Sequence, residues 1–431
     1  MHRPVMKSRM RAFDEVWARF RPSRQAIAKL RASVLPLAAV AVLPLLVVNA
    51  ASFESVCHMD FGQIYSSAFI VREGRAGKLY DTSEQARVEK RLLNRELPRL
   101  LNHPPFEAFF FTPLTHFSLI GAYKIWAVFN ISLWILFFHL LYYHAPVPKR
   151  LGSCMVACFA FFPAWTALME GQTSLLILFI YALVFMALRR RREFAAGILL
   201  GVGLIKFQLV LPFVLISLLR RKWRLAAGFA VVALTLGGIS VAVVGLPGVL
   251  SYGKLLIDVV KDPGSPAYEG VLPRDMPSLR GFLDTILSGT DALIWTMSIV
   301  VLVSLSIIWL TASRWRRNDK DERSGSESLM FAMALAVTLI TSFHLYYYDL
   351  SLMLLPILLV LGSVRWKEGT RWHVLLALSV VLLYIPLLVA WAFGLYHIIY
   401  VWFLPLGTFA LSLFQILGRP AARKGLECSG Q

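Results

Sequence analysis

Acidic residues and cysteines are scarce in this chain of 431 residues, and several familiar motifs are missing. Lys and Arg total 44 against 25 Asp and Glu, a formal net charge of +19. The four cysteines, Cys57, Cys154, Cys158 and Cys428, follow no disulfide or zinc-ligand spacing. The chain has no Walker-type phosphate loop, GxSxG nucleophile elbow or dinucleotide-binding glycine fingerprint. These absences argue against a nucleotide-driven pump and against an enzyme with a soluble nucleotide-sugar domain.

Hydrophobic residues, by contrast, make up 58% of the chain, whereas soluble domains contain about 45–50%. Repeated apolar stretches of about 17 to 25 residues predict an all-α, polytopic transmembrane helical bundle of about 10 to 12 membrane segments. The predicted spans are 33–53, 122–143, 151–168, 173–188, 224–246, 291–312, 329–344, 348–364, 372–393 and 396–417. Most basic residues lie in short loops beside these spans, where they set topology and meet anionic membrane lipids. The positive charge therefore does not indicate nucleic-acid binding.

Basic clusters predict the orientation of the chain. A basic cytoplasmic arm (1–32) precedes a single integral-membrane domain (33–417), and a cytoplasmic tail (418–431) follows it. Both termini are then cytoplasmic, and two large loops lie outside, at 52–104 and 246–291. The unusual polar residues gather on this outer side.

Two segments do not fit this alternation of simple spans. Pro104–Leu119 is short and contains Pro113, so we predict a re-entrant or surface-lying segment. Glu193–Lys222 has basic clusters at both ends but only 26 apolar residues between them, too few for two full crossings. We predict two short helices that meet near Lys206, against protein or a cavity.

The first outside loop contains Asp60 at the start of a predicted amphipathic helix on the outer membrane face. Phe61, Ile64, Tyr65, Ala68, Phe69 and Arg72 recur in it at helical spacing. Asp60 suits either an ordinary helix N-cap or a catalytic carboxylate.

Two further candidates lie near the membrane. Glu170 and Gln172 flank a glycine at an outer junction, where they could bind sugar hydroxyls or simply form a polar turn in which Thr173 caps the next helix. Lys206 stands alone in an apolar stretch, and such residues are either functional or extend their charge to the membrane surface.

Two outer segments complete the candidates. In TSFHLYYYDL (Thr341–Leu350), His344 could serve as a base or hold a phosphate oxygen and Asp349 could orient a partner, whereas the tyrosines alone would form an interfacial belt. Arg280 in PSLRGFL suits phosphate, and a solvated loop charge explains it equally well.

Taken in order, these pieces resemble the GT-C class of membrane glycosyltransferases, and specifically the mannosyltransferase-like glycosyltransferase family 87. The resemblance extends from Asp60 to Pro356 and is carried by an ordered set of short motifs. They are Asp60 with Tyr65, Gly74 and Tyr80-Asp81, then His103-Pro104-Pro105-Phe106, Thr112-Pro113-Leu114, EGQTSLLI, AAGILLGVGLIKFQLVLPFVLISLLRRKWR, PSLRGFL and HLYYYDLSLMLLP. His103 and Phe207 depart from the usual aromatic and proline residues.

The resemblance implies an inverting transfer of a hexose, mannose first, from a polyprenyl-phosphate donor to a lipid or glycan acceptor at the non-cytoplasmic face. It maps Asp60 to the acidic active-site residue, His344 to the histidine before Tyr-Asp, and Lys206 to the lysine between short helices. Tyr65, Glu170, Gln172, Arg280, Tyr348 and Asp349 are the further predicted substrate-binding residues. The resemblance implies no certain cofactor. It is compatible with a divalent metal, although no ligand set is visible, and it implies a location in a bacterial inner (plasma) membrane.

The main alternative is a secondary transporter, because broken helices and an intramembrane lysine also serve transport. Against it, hydropathy shows no internal repeat, and the polar residues lie at one face. A membrane acyltransferase has only His344 in its favour. Flux without a covalent product would indicate a transporter, and a sugar-bearing product a glycosyltransferase.

Overall fold

The computed structural model describes residues 42–95, 101–261, 272–287, 293–318, 326–366, 369–385 and 400–418. These residues contain α-helices and short 3-10 helices and no strand, which confirms the all-α class. A helix over residues 42–49, α1, belongs to a separate unit of residues 1–50. The basic arm, most of the first predicted span and the C-terminal tail beyond residue 418 lie outside the described residues.

The second unit, residues 51–431, holds every other described helix. Its α-helices are α2 Phe53–His58, α3 Asp60–Arg72, α4 Thr82–Leu93, α5 Pro105–Phe111, α6 Leu119–His144, α7 Leu151–Phe159, α8 Phe162–Met169, α9 Ser174–Arg189, α10 Glu193–Val202, α11 Leu211–Leu219, α12 Trp223–Lys261, α13 Leu279–Ile286, α14 Leu293–Asn318, α15 Ser326–Ile340, α16 Leu354–Ser363, α17 Arg371–Tyr384 and α18 Tyr400–Gly418. Its 3-10 helices are Ala76–Lys78, Thr112–His116, Gly203–Leu209, Pro273–Asp275 and Tyr347–Met353.

Three of these helices, α6, α12 and α14, are long and apolar enough to cross a membrane. Two bent pairs, α7 with α8 and α10 with α11, pass the same test as pairs. Ile294 and Trp295 on α14 are 77% and 73% exposed, as lipid-facing side chains would be. The chain is thus a polytopic helical membrane protein, and the number of crossings stays a prediction.

The segment 193–222 folds as predicted into two short helical arms. They bend by 116° where the 3-10 helix Gly203–Leu209 ends, and Lys206 has non-helical φ and ψ of −118° and 68°. Glycines let this hairpin contact α12 closely, because a Cβ on Gly197 would lie 2.0 Å from the carbonyl oxygen of Leu225. Such small-residue contacts are typical of membrane helices.

Other segments differ from the sequence prediction. The helix predicted over 224–246 continues to Lys261, bending at Gly245 where φ is 72°, so the beginning of the predicted 246–291 loop is helical. The predicted span 151–168 is broken into α7 and α8, which meet at 51°. At the first break, Gly245 adopts a positive φ that glycine tolerates. At the second, Phe161 has an extended backbone and Pro163 lies in the first turn of α8, where proline is favoured.

The helix α3 has the predicted bounds but not the predicted environment. Ser66 and Ser67 are each only 2% exposed, and Phe61 and Ile70 are fully buried, so most of the circumference of α3 is buried and Arg72 at its end is exposed. The prediction that α3 is amphipathic was therefore wrong, and its position at the outer membrane face stays a prediction. Protein packs around it instead, and it holds Asp60 in place from within the fold.

Candidate active site

The loop 169–173 between α8 and α9 is anchored by aromatic side chains of α6. The hydroxyl of Tyr123 donates to the carbonyl of Met169 at 3.1 Å, and the indole nitrogen of Trp126 donates to the carbonyl of Gly171 at 2.8 Å. Each bond satisfies a loop carbonyl that no helix reaches, as buried polar groups require. The polar residues in this loop are therefore fixed on a rigid base.

Asp60 is joined directly to this loop. It follows the N-cap Met59 and does not cap α3 itself, so the N-cap alternative was wrong. Its Oδ2 accepts a hydrogen bond from Gln172 Nε2 at 2.7 Å, and its backbone N–H donates to Glu170 Oε2 at 3.2 Å. Asp60 and the pair of Glu170 and Gln172, which the sequence predicted as two separate candidates, thus form one cluster across more than a hundred residues of sequence.

Gly171 sets the approach of the loop to α3, and we expect Gly171→Ala to disturb Asp60. Gly171 has φ of +65°, and an added Cβ would lie 2.6 Å from Cβ of Phe61, the neighbour of Asp60. Positive φ alone costs an L-residue roughly 1–2 kcal/mol, and a shift of about 1 Å at a reactive group can cost about 100-fold in rate. We expect lower thermal stability in detergent and at least about 10-fold lower sugar transfer.

Gly152→Ala on α7 is the matched control for this substitution. Its added Cβ would meet nothing within 4 Å, so stability and transfer should stay at wild-type levels. Wild-type transfer by Gly171→Ala would contradict the link between this loop and Asp60.

Lys206 forms a buried ion pair at the bend between α10 and α11. Its Nζ lies 2.6 Å from Asp349 Oδ1 and donates to Ser174 Oγ at 2.9 Å. It also lies 4.7 Å from the centroid of the Tyr348 ring. Lys206 is 2% exposed and Asp349 is 1% exposed, so the charge does not extend to the membrane surface. The ammonium is held by protein partners on three sides.

Tyr346, which the sequence analysis did not single out, contacts both His344 and Asp349. Its ring packs edge-on against His344 at 4.8 Å, and its backbone N–H donates to Asp349 Oδ2 at 3.2 Å. Its hydroxyl oxygen is buried without a hydrogen-bond partner among the described residues. Burial raises the pKa of Tyr346, and Asp60 and Asp275 raise it further. The hydroxyl stays protonated and can donate to a bound substrate. Its position among three tyrosines, typical of an aromatic belt, concealed it.

Arg280 at the start of α13 is 1% exposed, so the alternative of a solvated loop charge was wrong. Its Nη1 donates to the carbonyl of Phe343 at 3.3 Å, and its guanidinium carbon lies 4.0 Å from the centroid of the Phe343 ring. Its Nε and Nη2 have no hydrogen-bond partner among the described residues. Burial lowers the pKa of Arg280 to about 10, against Asp284 and Tyr346, which raise it. The side chain remains a cation near pH 7 with two donors unused.

A cavity of about 360 Å³ opens beside Arg280. We call it the Arg280 cavity. Apolar side chains form most of its wall, and no Asp or Glu lines it in the described part of the chain. Its polar and charged lining residues are Asn102, His103, Gln208, Lys261, Arg280 and His344. The cavity therefore suits a molecule with an anionic group and an apolar body.

His344 is neutral within this setting. Desolvation by burial is the largest cause that lowers the pKa of His344 to about 3. Asp349 opposes the shift, and Arg280, Lys206 and His103 add to it. Near pH 7 its imidazole therefore carries one proton, and one ring nitrogen can accept a hydrogen bond.

A second cavity of about 570 Å³ adjoins the first, because Ile205 lines both. We call it the apolar groove. Every residue that lines it is apolar, namely Phe106, Phe110, Phe111, Pro113, Leu114, Ile125, Trp126, Phe129, Leu176, Val202, Ile205, Val232 and Leu236. It lies between α5, α6, α9, α10 and α12 and fits a hydrocarbon chain.

Tyr65 is directed away from these groups. Its hydroxyl donates to the carbonyl of Phe117 at 2.8 Å, and its side chain packs with Phe61 and Phe69. In the described residues, no group of three or more His, Cys, Asp or Glu side chains could hold a metal ion.

Comparison with known proteins gives one match. Residues 102–342 match the model of glycosyltransferase family 87, which is more than half of the chain. No curated protein and no solved structure matches. The matched region contains Glu170, Gln172, Lys206 and Arg280, while Asp60 precedes it and His344 follows it. The chain belongs to glycosyltransferase family 87 and is a membrane glycosyltransferase, which acts on a sugar donor and an acceptor.

Proposed function

We propose that this enzyme transfers a hexose, with mannose as the first candidate, from a polyprenyl-phosphate donor to a lipid or glycan acceptor at the non-cytoplasmic face of the plasma membrane. The observation that carries the proposal is the buried Arg280, whose Nε and Nη2 lack partners among the described residues. It lines a cavity that shares the lining residue Ile205 with a neighbouring apolar groove. An isoprenoid phosphate has the matching chemistry at both ends.

The phosphate end of the donor belongs in the Arg280 cavity. A guanidinium presents a planar fork of donors that matches two phosphate oxygens, and the lining has no carboxylate among the described residues to oppose an anion. Leaving two buried donors unpaired costs free energy that a bound phosphate would recover.

The isoprenoid chain belongs in the apolar groove. Ile205 lines both cavities, so the groove is the neighbouring space for the apolar part of a molecule whose phosphate binds at Arg280. Side chains of α6 and α12, two helices long and apolar enough to cross a membrane, line the groove, as a site for a membrane-embedded isoprenoid chain requires. Burying methylene groups there contributes about 0.8 kcal/mol each.

Asp60 is the base that we favour for the acceptor hydroxyl. Gln172 holds one of its carboxylate oxygens at 2.7 Å, and the loop around Gly171 fixes this geometry. His344, in contrast, lines the same cavity as Arg280 and so faces the donor. Sequence spacing left the two residues equal, and this separation supports Asp60.

The proposed reaction is a single displacement. The acceptor oxygen gives its proton to Asp60 and forms a bond to the anomeric carbon of the sugar. The bond between that carbon and the phosphate oxygen breaks, and its electron pair leaves with the polyprenyl phosphate. Attack opposite the leaving group inverts the anomeric carbon. Arg280 stabilises the charge that develops on the phosphate, which is the main electrostatic demand of the step.

Transfer of radiolabelled sugar from polyprenyl-phosphate mannose and polyprenyl-phosphate glucose, with membrane extracts as acceptor, tests the proposal. We expect a labelled product with the wild type, and Arg280→Gln should raise the donor KM by about 10-fold or more, as loss of a charge-assisted hydrogen bond would. Arg280→Lys, which keeps the charge without the planar fork, should recover part of the loss.

Two outcomes would contradict the proposal. Transfer from nucleotide sugars but not from lipid phosphates would overturn the donor assignment. Substrate uptake into proteoliposomes without a covalent product would favour a transporter.

A further inference from the structure

His103 lines the Arg280 cavity together with Arg280 and His344. It lies just before α5, where two tyrosines hold its backbone. The hydroxyl of Tyr80 donates to the carbonyl of His103 at 2.7 Å, and the hydroxyl of Tyr252 donates to the carbonyl of Asn102 at 3.3 Å. The two tyrosine rings pack at 5.0 Å. The position of His103 is thus fixed from the first outside loop and from α12.

Glu107, in the first turn of α5 and four residues after His103, fixes the ring itself. Its Oε2 contacts Nδ1 of His103, and the side chain of Glu107 is fully buried. The other oxygen, Oε1, has no partner among the described residues. A buried carboxylate is costly without a hydrogen-bond partner, so its contact with Nδ1 fixes a proton on that nitrogen. This leaves Nε2 as the ring nitrogen for the cavity.

We infer that His103 is a second ligand of the donor phosphate, together with Arg280, and that Glu107 is its positioning residue. With the phosphate bound, the ring donates Nδ1–H to Glu107 and Nε2–H to a phosphate oxygen. The same bond stabilises the phosphate as a leaving group and holds the product after transfer. This inference rests on the proposed lipid-phosphate donor and adds a residue that the resemblance does not assign to the site.

The inference is tested by the binding of undecaprenyl phosphate, with undecaprenol as the matched ligand without a phosphate, to the purified full-length enzyme in nanodiscs. His103→Asn keeps a polar group at the position of Nδ1 and removes Nε2, whereas His103→Gln places an amide near the position of Nε2. We expect His103→Asn to weaken phosphate binding by about 10- to 100-fold, and His103→Gln to weaken it less. Undecaprenol binding should stay unchanged in both.

Glu107→Gln separates positioning from mere packing. It keeps the size and one acceptor oxygen of Glu107 but removes the carboxylate, so the ring should be held less firmly and phosphate binding should fall by a smaller factor. A packing defect alone would weaken both ligands equally. Equal weakening of the two ligands in the His103 and Glu107 variants would overturn the inference.

Arg280→Gln makes the two proposals distinguishable. If Arg280→Gln weakens phosphate binding while His103→Asn and His103→Gln bind like the wild type, His103 is not a ligand and the donor site stands. If Arg280→Gln also binds like the wild type, the Arg280 cavity is not the phosphate site, and both proposals fail. Thermal unfolding of every variant shows that a loss of binding does not come from loss of the fold.

Discussion

Replacement of Asp60 by asparagine is expected to lower kcat for sugar transfer by about 100- to 10,000-fold, the range in which general bases contribute. Asparagine has nearly the size of aspartate and can still accept the hydrogen bond from Gln172 Nε2. It cannot take a proton from the acceptor hydroxyl. Single-turnover transfer with saturating donor measures the effect, because the donor site at Arg280 is left intact and its KM should change little.

Glu54→Gln provides the matched control, since it removes an exposed carboxylate in the preceding helix α2. It should transfer sugar at the wild-type rate. His344→Ala decides between the two candidate bases. A modest loss in kcat with a raised donor KM would fit a residue that faces the donor. A loss in kcat as large as that of Asp60→Asn would instead identify His344 as the base and contradict the assignment of Asp60.

The second large effect is expected at the buried pair of Lys206 and Asp349. Lys206→Met keeps most of the side-chain volume but leaves the Asp349 carboxylate buried without its cation, which should destabilise the fold by about 3–5 kcal/mol. The double variant Lys206→Met with Asp349→Asn removes both charges. The amide oxygen of the asparagine can accept from the backbone N–H of Tyr346, and its Nδ2 can donate to Ser174 Oγ, which no longer accepts a bond from Lys206. It should recover most of the lost stability. Thermal unfolding in detergent compares the three proteins.

Activity of the double variant then reports the role of Lys206. We propose that this ammonium positions the turn at Tyr346–Asp349 by pairing with Asp349, and does not itself bind the donor phosphate. The stable double variant should therefore keep a donor KM within about 3-fold of wild type, well below the effect of losing a charged hydrogen bond. A stable double variant whose donor KM rises as much as that of Arg280→Gln would instead assign Lys206 to the phosphate.

Much of the fold could be predicted because it follows from local chemistry. Basic clusters at both ends of 193–222 require the chain to return to the same side, and 26 apolar residues are too few for two full crossings. The sequence therefore predicts a helical hairpin, and a sharp bend near Lys206 is observed. Pro113 and the short apolar stretch excluded a full crossing at 104–119, where α5 and a 3-10 helix now lie. The break between α7 and α8 escaped prediction, since uninterrupted hydropathy continues across it.

The site could be predicted only as a set of residue types. A lone lysine in an apolar stretch and a histidine near aspartate are expensive in a membrane, so their cost marks them as candidates. Nothing in the spacing joins Asp60 to Gln172, or places Asp349 rather than a phosphate beside Lys206, because these contacts cross more than a hundred residues. The contact between His103 and Glu107 is local, but only the fold places it at the cavity that Arg280 lines.

By itself, the sequence determined that this protein is a helical membrane protein, that its chain must bend near Lys206, and which polar residues had to be explained. These conclusions follow because the cost of burying peptide and charged groups acts locally. Only the tertiary structure decided which charged side chains pair with an opposite charge. Among the described residues, Lys206 forms an ion pair with Asp349, whereas Arg280 forms none and is influenced by Asp284 only electrostatically. That difference depends on which helix ends meet in space. The chemistry of the site therefore follows from the distances between segments that the sequence keeps far apart.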